Sequence, residues 1–226
     1  MIEYLFLDLD DTILDFHKAE YIAIGKTMAE HGIEPTEEIR NRYHVINKWH
    51  WEQLELGNMT RQEVVEGRFR VFFGEMGIQV DAAKVADDYM HNLSQGHYFL
   101  PGAEEAVERL SKKYRLFLAS NGTASVQHSR MTSANLYRFF EKVFVSQTIG
   151  YNKPAKEYFD GCFAQIPDFD ITRAVMVGDS LSSDIKGGIN AGMKTVWVNP
   201  DHLEGKIKAD YEIESITQLE ALLETM

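Results

Sequence analysis

The sequence predicts an α/β protein: a parallel sheet flanked by helices and interrupted after its first strand by an all-helical insertion. Three observations lead there. The chain opens on a short apolar run, Ile2 to Leu7, that ends abruptly in the carboxylates Asp8, Asp10 and Asp11. Residues 16–98 show only helical periodicity and helix-start signals. From Phe99 onward, apolar runs of strand length alternate with helical stretches, the pattern of a parallel sheet with helical crossovers. The expected domains are a core of residues 1–15 and 99–226 and an insertion of residues 16–98.

In chain order, Ile2, Tyr4, Leu5, Phe6 and Leu7 form the nearly unbroken apolar run of a strand buried on both faces. A helix is expected over 18–31, with Tyr21, Ile22, Ile24, Gly25 and Met28 near its buried face. Pro35-Thr36 opens the next helix, where Glu37 and Glu38 in the first turn complement the dipole. It continues through Tyr43, Ile46, Trp49 and Leu54 to a break at Gly57-Asn58. Thr60 followed by Glu63 has the form of a capping box and starts a helix through Val64, Phe69, Phe72 and Phe73. Asp81 can cap a fourth, through Val85, Tyr89 and Leu93.

Beyond Pro101-Gly102 a helix carries Ala106, Val107 and Leu110, and a strand over 116–119 ends in Ser120-Asn121-Gly122. A helix over 124–135 leads to a strand over 143–145. Asn152-Lys153-Pro154 then introduces a helix with Tyr158, Phe159 and Phe163. The strand over 174–177 ends in Gly178-Asp179-Ser180 and is followed by a helix to Ala191. A strand over 195–198, an edge strand over 211–213 and a closing helix over 216–223 complete the pattern.

At 226 residues and 44% hydrophobic content the chain can bury a substantial core, and it has no long uncharged apolar stretch to span a membrane. No basic region precedes an apolar stretch and cleavage site at the N-terminus, so a cytoplasmic location is expected. The single cysteine, Cys162, cannot form an internal disulfide and suits a reducing compartment. No neighbouring His or basic cluster lowers its pKa, so it is not expected to be catalytic. The net charge of −12 argues against a nucleic acid polymer or an anionic membrane as partner. A small anionic substrate remains compatible, because a divalent cation and a few basic groups can reverse the potential locally.

The polar groups collect where strands end. In open α/β sheets, ligands bind beyond the carboxyl ends of the strands, and Asp8, Ser120, Lys153 and Asp179 all fall at that end. Carboxylates crowded there repel one another and resist desolvation unless a cation sits among them.

Asp8-Leu9-Asp10-Asp11-Thr12 resembles the first motif of the haloacid dehalogenase (HAD) superfamily, Asp-x-Asp-x-Thr. Ser120 resembles the second motif, Lys153 the third, and Gly178-Asp179-Ser180 with Asp184 the fourth. The helical insertion resembles the family's C1-type cap. The resemblance implies a Rossmann-like core under a cap that closes over the active site, with hinges expected near 15–18 and 97–101. It makes Asp8 the nucleophile that attacks a phosphoryl group and Asp10 the general acid and base. Ser120 and Lys153 would hold the phosphoryl oxygens. Mg²⁺ would be held by Asp8, Asp179 and the backbone carbonyl of Asp10, with Asp184 acting behind them or through a water. Backbone N–H groups at Leu9, Asn121 and Gly122 could complete the phosphate cradle. Thr12 is expected to orient the loop by hydrogen bonding, and His17 and Lys18 could face the pocket. Dehalogenases lack the second Asp, so Asp10 points to phosphoryl transfer.

Over its length the chain is similar to the HAD-type 5′-nucleotidase subgroup that includes bacterial pyrimidine nucleotidases. The likeness rests on Asp-Leu-Asp-Asp-Thr-Ile-Leu-Asp-Phe, on the cap length and on Val-Ser-Gln-Thr-Ile-Gly-Tyr-Asn-Lys-Pro. It implies Mg²⁺-dependent hydrolysis of a small phosphorylated metabolite, such as a nucleoside 5′-monophosphate, through an aspartyl-phosphate. A monomer or small homo-oligomer is expected. Three alternatives stay open: a phosphosugar mutase of the β-phosphoglucomutase type, a phosphoglycolate-type phosphatase, and a non-enzymatic binding protein. Asp-Asp-Thr in place of the mutases' Asp-Gly-Val favours hydrolysis, and the intact acidic set opposes a non-enzymatic role. In the insertion, Trp49, His50, Trp51 and the basic groups of 61–70 suit a base or sugar, whereas Phe69, Phe72 and Phe73 are expected to be packing.

Overall fold

In the computed structural model, which describes residues 1–226, six strands form one parallel sheet. They are β1 (Tyr4–Leu7), β2 (Arg115–Ser120), β3 (Lys142–Val145), β4 (Ala174–Gly178), β5 (Lys194–Val198) and β6 (Tyr211–Ile213). Their order, β3-β2-β1-β4-β5-β6, places the first strand in the middle. Tyr4 pairs with Arg115 of β2 on one side and with Ala174 of β4 on the other. The strand order reverses between β1 and β4, which makes their carboxyl ends the switch point where such sheets bind ligands.

The chain divides into two compact units, Met1–Asp15 with Tyr98–Met226, and Phe16–His97. The second is a set of four helices, α1 (Phe16–Glu30), α2 (Glu37–Glu55), α3 (Arg61–Glu75) and α4 (Ala82–Ser94). Thr36 caps α2 by accepting from the Ile39 N–H, and Asp81 caps α4 through the N–H groups of Ala83 and Lys84. Thr60 and Glu63 complete a reciprocal capping box on α3. Tyr43, Phe69, Phe72, Phe73 and Tyr89 are buried against one another.

The expected face of α1 needs correction. It buries Ala19, Glu20, Ala23, Ile24, Thr27 and Met28, a stripe at i, i+3 and i+4 spacing that leaves Tyr21 outside. Tyr21 instead stacks under Arg40 and donates its hydroxyl proton to Glu37. Of the residues singled out on α2 and α3, Trp49 is about half exposed and Trp51 meets Arg61, while His50 and Arg68 are buried.

The core unit adds α5 (Ala103–Ser111), α6 (Ala124–Ser133), α7 (Ser146–Ile149), α8 (Lys156–Phe163), α9 (Lys186–Ala191) and α10 (Leu219–Leu223). The strand period of two sorts its side chains into two layers. Leu5, Leu7, Leu116, Leu118, Val175 and Val177 pack with Ala106, Val107 and Leu110 of α5 and with Leu219. On the other face Tyr4, Phe6, Phe117, Phe144 and Met176 pack with Tyr158, Phe159 and Cys162 of α8. Each such side chain, fully buried, contributes about 1.5–3 kcal/mol relative to exposure.

Three local features escape the sequence pattern. The four-residue α7 precedes Gly150, whose φ of 92° ends it. A wide turn over Leu181–Ile185 leads into α9. The closing segment begins as a tight 3₁₀ turn, Ile216–Gln218, before α10. No helix is long and apolar enough to cross a membrane.

Candidate active site

The site is assembled at the ends of β1, β2 and β4. Asp8 follows β1 and is buried, as are Ser120 at the end of β2, Lys153 and Asp184. Lys153 Nζ donates to Asp8 Oδ1, to Asp184 Oδ1 and to the Ala119 carbonyl, each at 2.6 Å, which uses all three of its protons. Asn121 fixes the lysine's backbone. It accepts from the Lys153 N–H at 2.9 Å and donates to the Lys153 carbonyl at 2.9 Å. Gly178 is needed where β4 ends, because a Cβ there would lie 2.2 Å from Asp184 Oδ2. Asp184 can therefore turn back against the strand, where Oδ2 accepts from the Ser180 N–H at 3.1 Å. The Asp179 carbonyl is held by the Trp197 indole N–H at 2.7 Å.

Charge is unevenly compensated here. Burial pushes the Asp8 carboxyl well above the usual carboxylate range; Asp184 and Asp10 add to the rise, and Lys153 opposes it. Burial also raises Asp179, with Asp184, Asp8 and Asp11 pushing the same way. For Lys153, burial alone would lower the ammonium pKa, but Asp184 and Asp8 outweigh it and hold the ammonium above its ordinary value. Carboxylate oxygens of Asp8, Asp179 and Asp184 lie within 4.8 Å of one another around that single lysine. When ionised they leave two negative charges without a counter-charge. A divalent cation taking hard oxygen ligands fits both the donor set and that deficit.

Asp10 is handled separately. Its Oδ2 accepts from Gln127 Nε2 at 2.7 Å, and its Oδ1 accepts from the buried Arg130 guanidinium. Gln127 and Arg130 stand three residues apart on α6, so both reach the same carboxylate. The second amide proton of Gln127 goes to Ser120 Oγ at 2.8 Å, and the Gly122 N–H donates to the same oxygen at 3.0 Å. Two accepted bonds leave the Ser120 hydroxyl its own proton to donate. Neither Gln127 nor Arg130 stands out in the sequence. The one available signal was a pair of long polar side chains on a short helix directly after a strand that ends in Ser120.

The residues named from sequence are thus brought together in part. Asp8, Asp10, Ser120, Lys153, Asp179 and Asp184 share one end of the sheet, with Leu9 fully buried beside them. The Gly122 N–H, expected in a phosphate cradle, is spent on Ser120, and the Asn121 side chain is spent on Lys153 and Ser183. The Thr12 hydroxyl is buried without a hydrogen-bond partner, so it does not tie the loop as expected. His17 and Lys18 lie on the first turn of α1, in the helical unit, and both are exposed.

A parallel sheet of this order with an acidic cluster at its switch point defines an α/β protein with a Rossmann-like core and a site suited to a divalent cation. The profile for haloacid dehalogenase-like hydrolases matches residues 4–198, and the chain belongs to that family. It is 38% identical over 221 residues to the HAD-hydrolase YfnB of Bacillus subtilis, covering 97% of this chain and 94% of YfnB. It is 35% identical over 220 residues to the pyrimidine 5′-nucleotidase PynA of Streptococcus pneumoniae, covering 96% and 93%. To the pyrimidine 5′-nucleotidase YjjG of Escherichia coli it is 28% identical over 223 residues, covering 98% and 97%. A crystal structure of YfnB, bound to magnesium and described as revealing interdomain movement, superposes with a TM-score of 0.94 over 99% of each chain.

Proposed function

We propose that this hydrolase is a Mg²⁺-dependent phosphatase acting on a small phosphate monoester, with nucleoside 5′-monophosphates as the substrate class. One observation carries the reading: a buried carboxylate, Asp8, held by Lys153 beside Asp179, with a second, independently held carboxylate two residues further on. That is a nucleophile and an acid/base on one loop, each with its own support. The substrate class is supported by the names of PynA and YjjG. Magnesium is supported by the oxygen donor set and by the YfnB structure.

In this mechanism an Asp8 oxygen attacks phosphorus and the bond to the leaving oxygen breaks as Asp10 hands that oxygen a proton. Water then attacks the aspartyl-phosphate, Asp10 recovers a proton from it, and Asp8 is released with inorganic phosphate. Asp8, Asp179 and the Asp10 carbonyl would hold Mg²⁺, which would supply Lewis-acid neutralisation of the phosphoryl oxygens. Ser120 donates its free proton to one phosphoryl oxygen. All three Lys153 protons serve protein acceptors, so its contact with phosphate exchanges one carboxylate bond for a phosphoryl one. The N–H groups of Leu9 and Asn121 contribute to the cradle. The helical unit acts as the cap, excluding water by turning about residues 15–18 and 97–101.

The test is phosphate release from nucleoside 5′-monophosphates, sugar phosphates and phosphoglycolate, with Mg²⁺ and with EDTA, beside Asp8→Asn. Selective Mg²⁺-dependent release from nucleotides, abolished by Asp8→Asn, is expected. Release confined to sugar phosphates or phosphoglycolate overturns the substrate class. Activity that survives Asp8→Asn overturns the mechanism.

A further inference from the structure

The helical unit holds a second cluster of ligating side chains, chemically unlike the acidic one. His17 and Glu20 stand three residues apart on α1, and His44 and Asn47 stand three residues apart on α2. The two pairs face each other. His44 Nδ1 lies 2.5 Å from Glu20 Oε2, and the imidazole rings of His17 and His44 are 4.9 Å apart between centroids. One ligand atom from each of His17, Glu20 and His44 lies within 4.8 Å of the others.

The cluster is graded from the interior outward. Glu20 is buried, 3% exposed, while His44 is partly buried and His17 exposed. A buried carboxylate on a helix face otherwise made mostly of small and apolar residues, with Thr27 the one other polar side chain, is costly without support. Its support is a relay. Glu20 Oε1 accepts from Asn47 Nδ2 at 2.5 Å, and Asn47 Oδ1 accepts from the buried Arg68 Nη1 at 2.6 Å. Arg68 thereby fixes which way the Asn47 amide points, Asn47 fixes one carboxylate oxygen, and the other oxygen is directed at the histidines. Outer hydrogen bonds of this kind orient the ligands of metal sites.

We infer that His17, Glu20 and His44 form a binding site for a zinc-class transition ion within the helical unit. Two imidazole nitrogens and one carboxylate oxygen are a ligand set that Zn²⁺ takes with solvent in its fourth position, and the exposed side of His17 leaves that position to water. Tetrahedral ligands about 2.0–2.1 Å from zinc stand roughly 3.3–3.4 Å apart. His44 must therefore withdraw slightly from Glu20, a movement of the more accessible of the two side chains. Nitrogen donors select zinc over magnesium. The site is thereby separable from the all-oxygen cluster at Asp8, Asp179 and Asp184. Occupied, it would cross-link the first turn of α1 to the middle of α2.

The experiment is titration of the chelator-stripped full-length protein with Zn²⁺ in excess Mg²⁺, read by calorimetry and by competition with a chromophoric chelator. Asp179→Asn, His17→Gln, His44→Gln and Glu20→Gln are titrated alongside. The expected result is one zinc per chain at micromolar affinity or tighter, retained in Asp179→Asn. Each of the other three variants should weaken it by about 10-fold or more. His17 is exposed, so His17→Gln remains informative should the more buried variants misfold. Zinc binding unchanged in His17→Gln overturns the inference. So does binding lost only in Asp179→Asn, or no binding in the micromolar range. Either of the last two would make the Glu20–His44 contact an ordinary ion pair.

Discussion

Gln127 and Arg130 turn Asp10 from a mobile carboxylate into an aimed one, because each of its oxygens has its own buried donor. Arg130→Met and Gln127→Ala should lower kcat by about 10–100-fold while KM changes little, as the role of general acid and base proposed for Asp10 predicts. A raised KM at unchanged kcat would show instead that these side chains bind substrate. Cys162 gives a second single-residue test. Burial pushes its thiol up to about 12, against the opposing pull of Tyr158 and Lys153. A raised folded-state pKa stabilises fully below the unfolded value near 9 and ceases to as pH climbs through about 12. At pH 8 a thiol reagent should accordingly leave the native protein unlabelled and titrate one thiol per chain in guanidinium. Appreciable native labelling would contradict the burial.

At the scale of elements, the helical unit depends on its helix starts. Thr60→Ala removes one half of the α3 capping box and should destabilise that unit by about 1 kcal/mol, read by urea denaturation, with phosphatase turnover unchanged. His50 on α2 is 2% exposed, and its Nδ1 lies 2.7 Å from the Ile46 carbonyl. Burial lowers its pKa below the ordinary 6.5, and Arg68 pushes the same way against the Ile46 hydrogen bond. The folded unit therefore keeps a neutral imidazole where the unfolded chain would take up a proton. That stabilisation is complete above pH 6.5 and is lost as pH falls through the lower folded value. The helical unit should melt earlier at pH 5 than at pH 7.5, and His50→Gln should narrow the gap. An unchanged gap would exclude His50 as its source.

For the whole molecule, the sheet and its acidic end were legible because strand and site are one pattern: a fully apolar run stopped by Asp8, by Ser120, or by Gly178 and Asp179. The helix starts at Thr36, Thr60 and Asp81 were legible because capping is local chemistry. Partnerships across the fold were not. Nothing near Asp10 announces Arg130, and nothing near Glu20 announces that Asn47 and Arg68 make a buried carboxylate tolerable on α1. Tyr21 was misplaced because an aromatic ring is equally at home in a core and over an exposed guanidinium such as Arg40.

The chain leaves the core unit and returns to it at neighbouring points. Leu14 bridges Phe99 in antiparallel fashion, the Asp15 N–H donates to the Tyr98 carbonyl at 2.8 Å, and the Leu100 N–H donates to the Ile13 carbonyl at 3.0 Å. This short ladder bears on how the protein folds. The central strand must find partners at Arg115 and Ala174, pairings whose loop-closure entropy is charged before they stabilise anything. Once the ladder has formed, residues 16–97 no longer count toward the contour between β1 and β2. The long detour then adds nothing to the loop-closure entropy of pairing β1 with β2, and the closure of β1 on β4 is left as the costlier of the two.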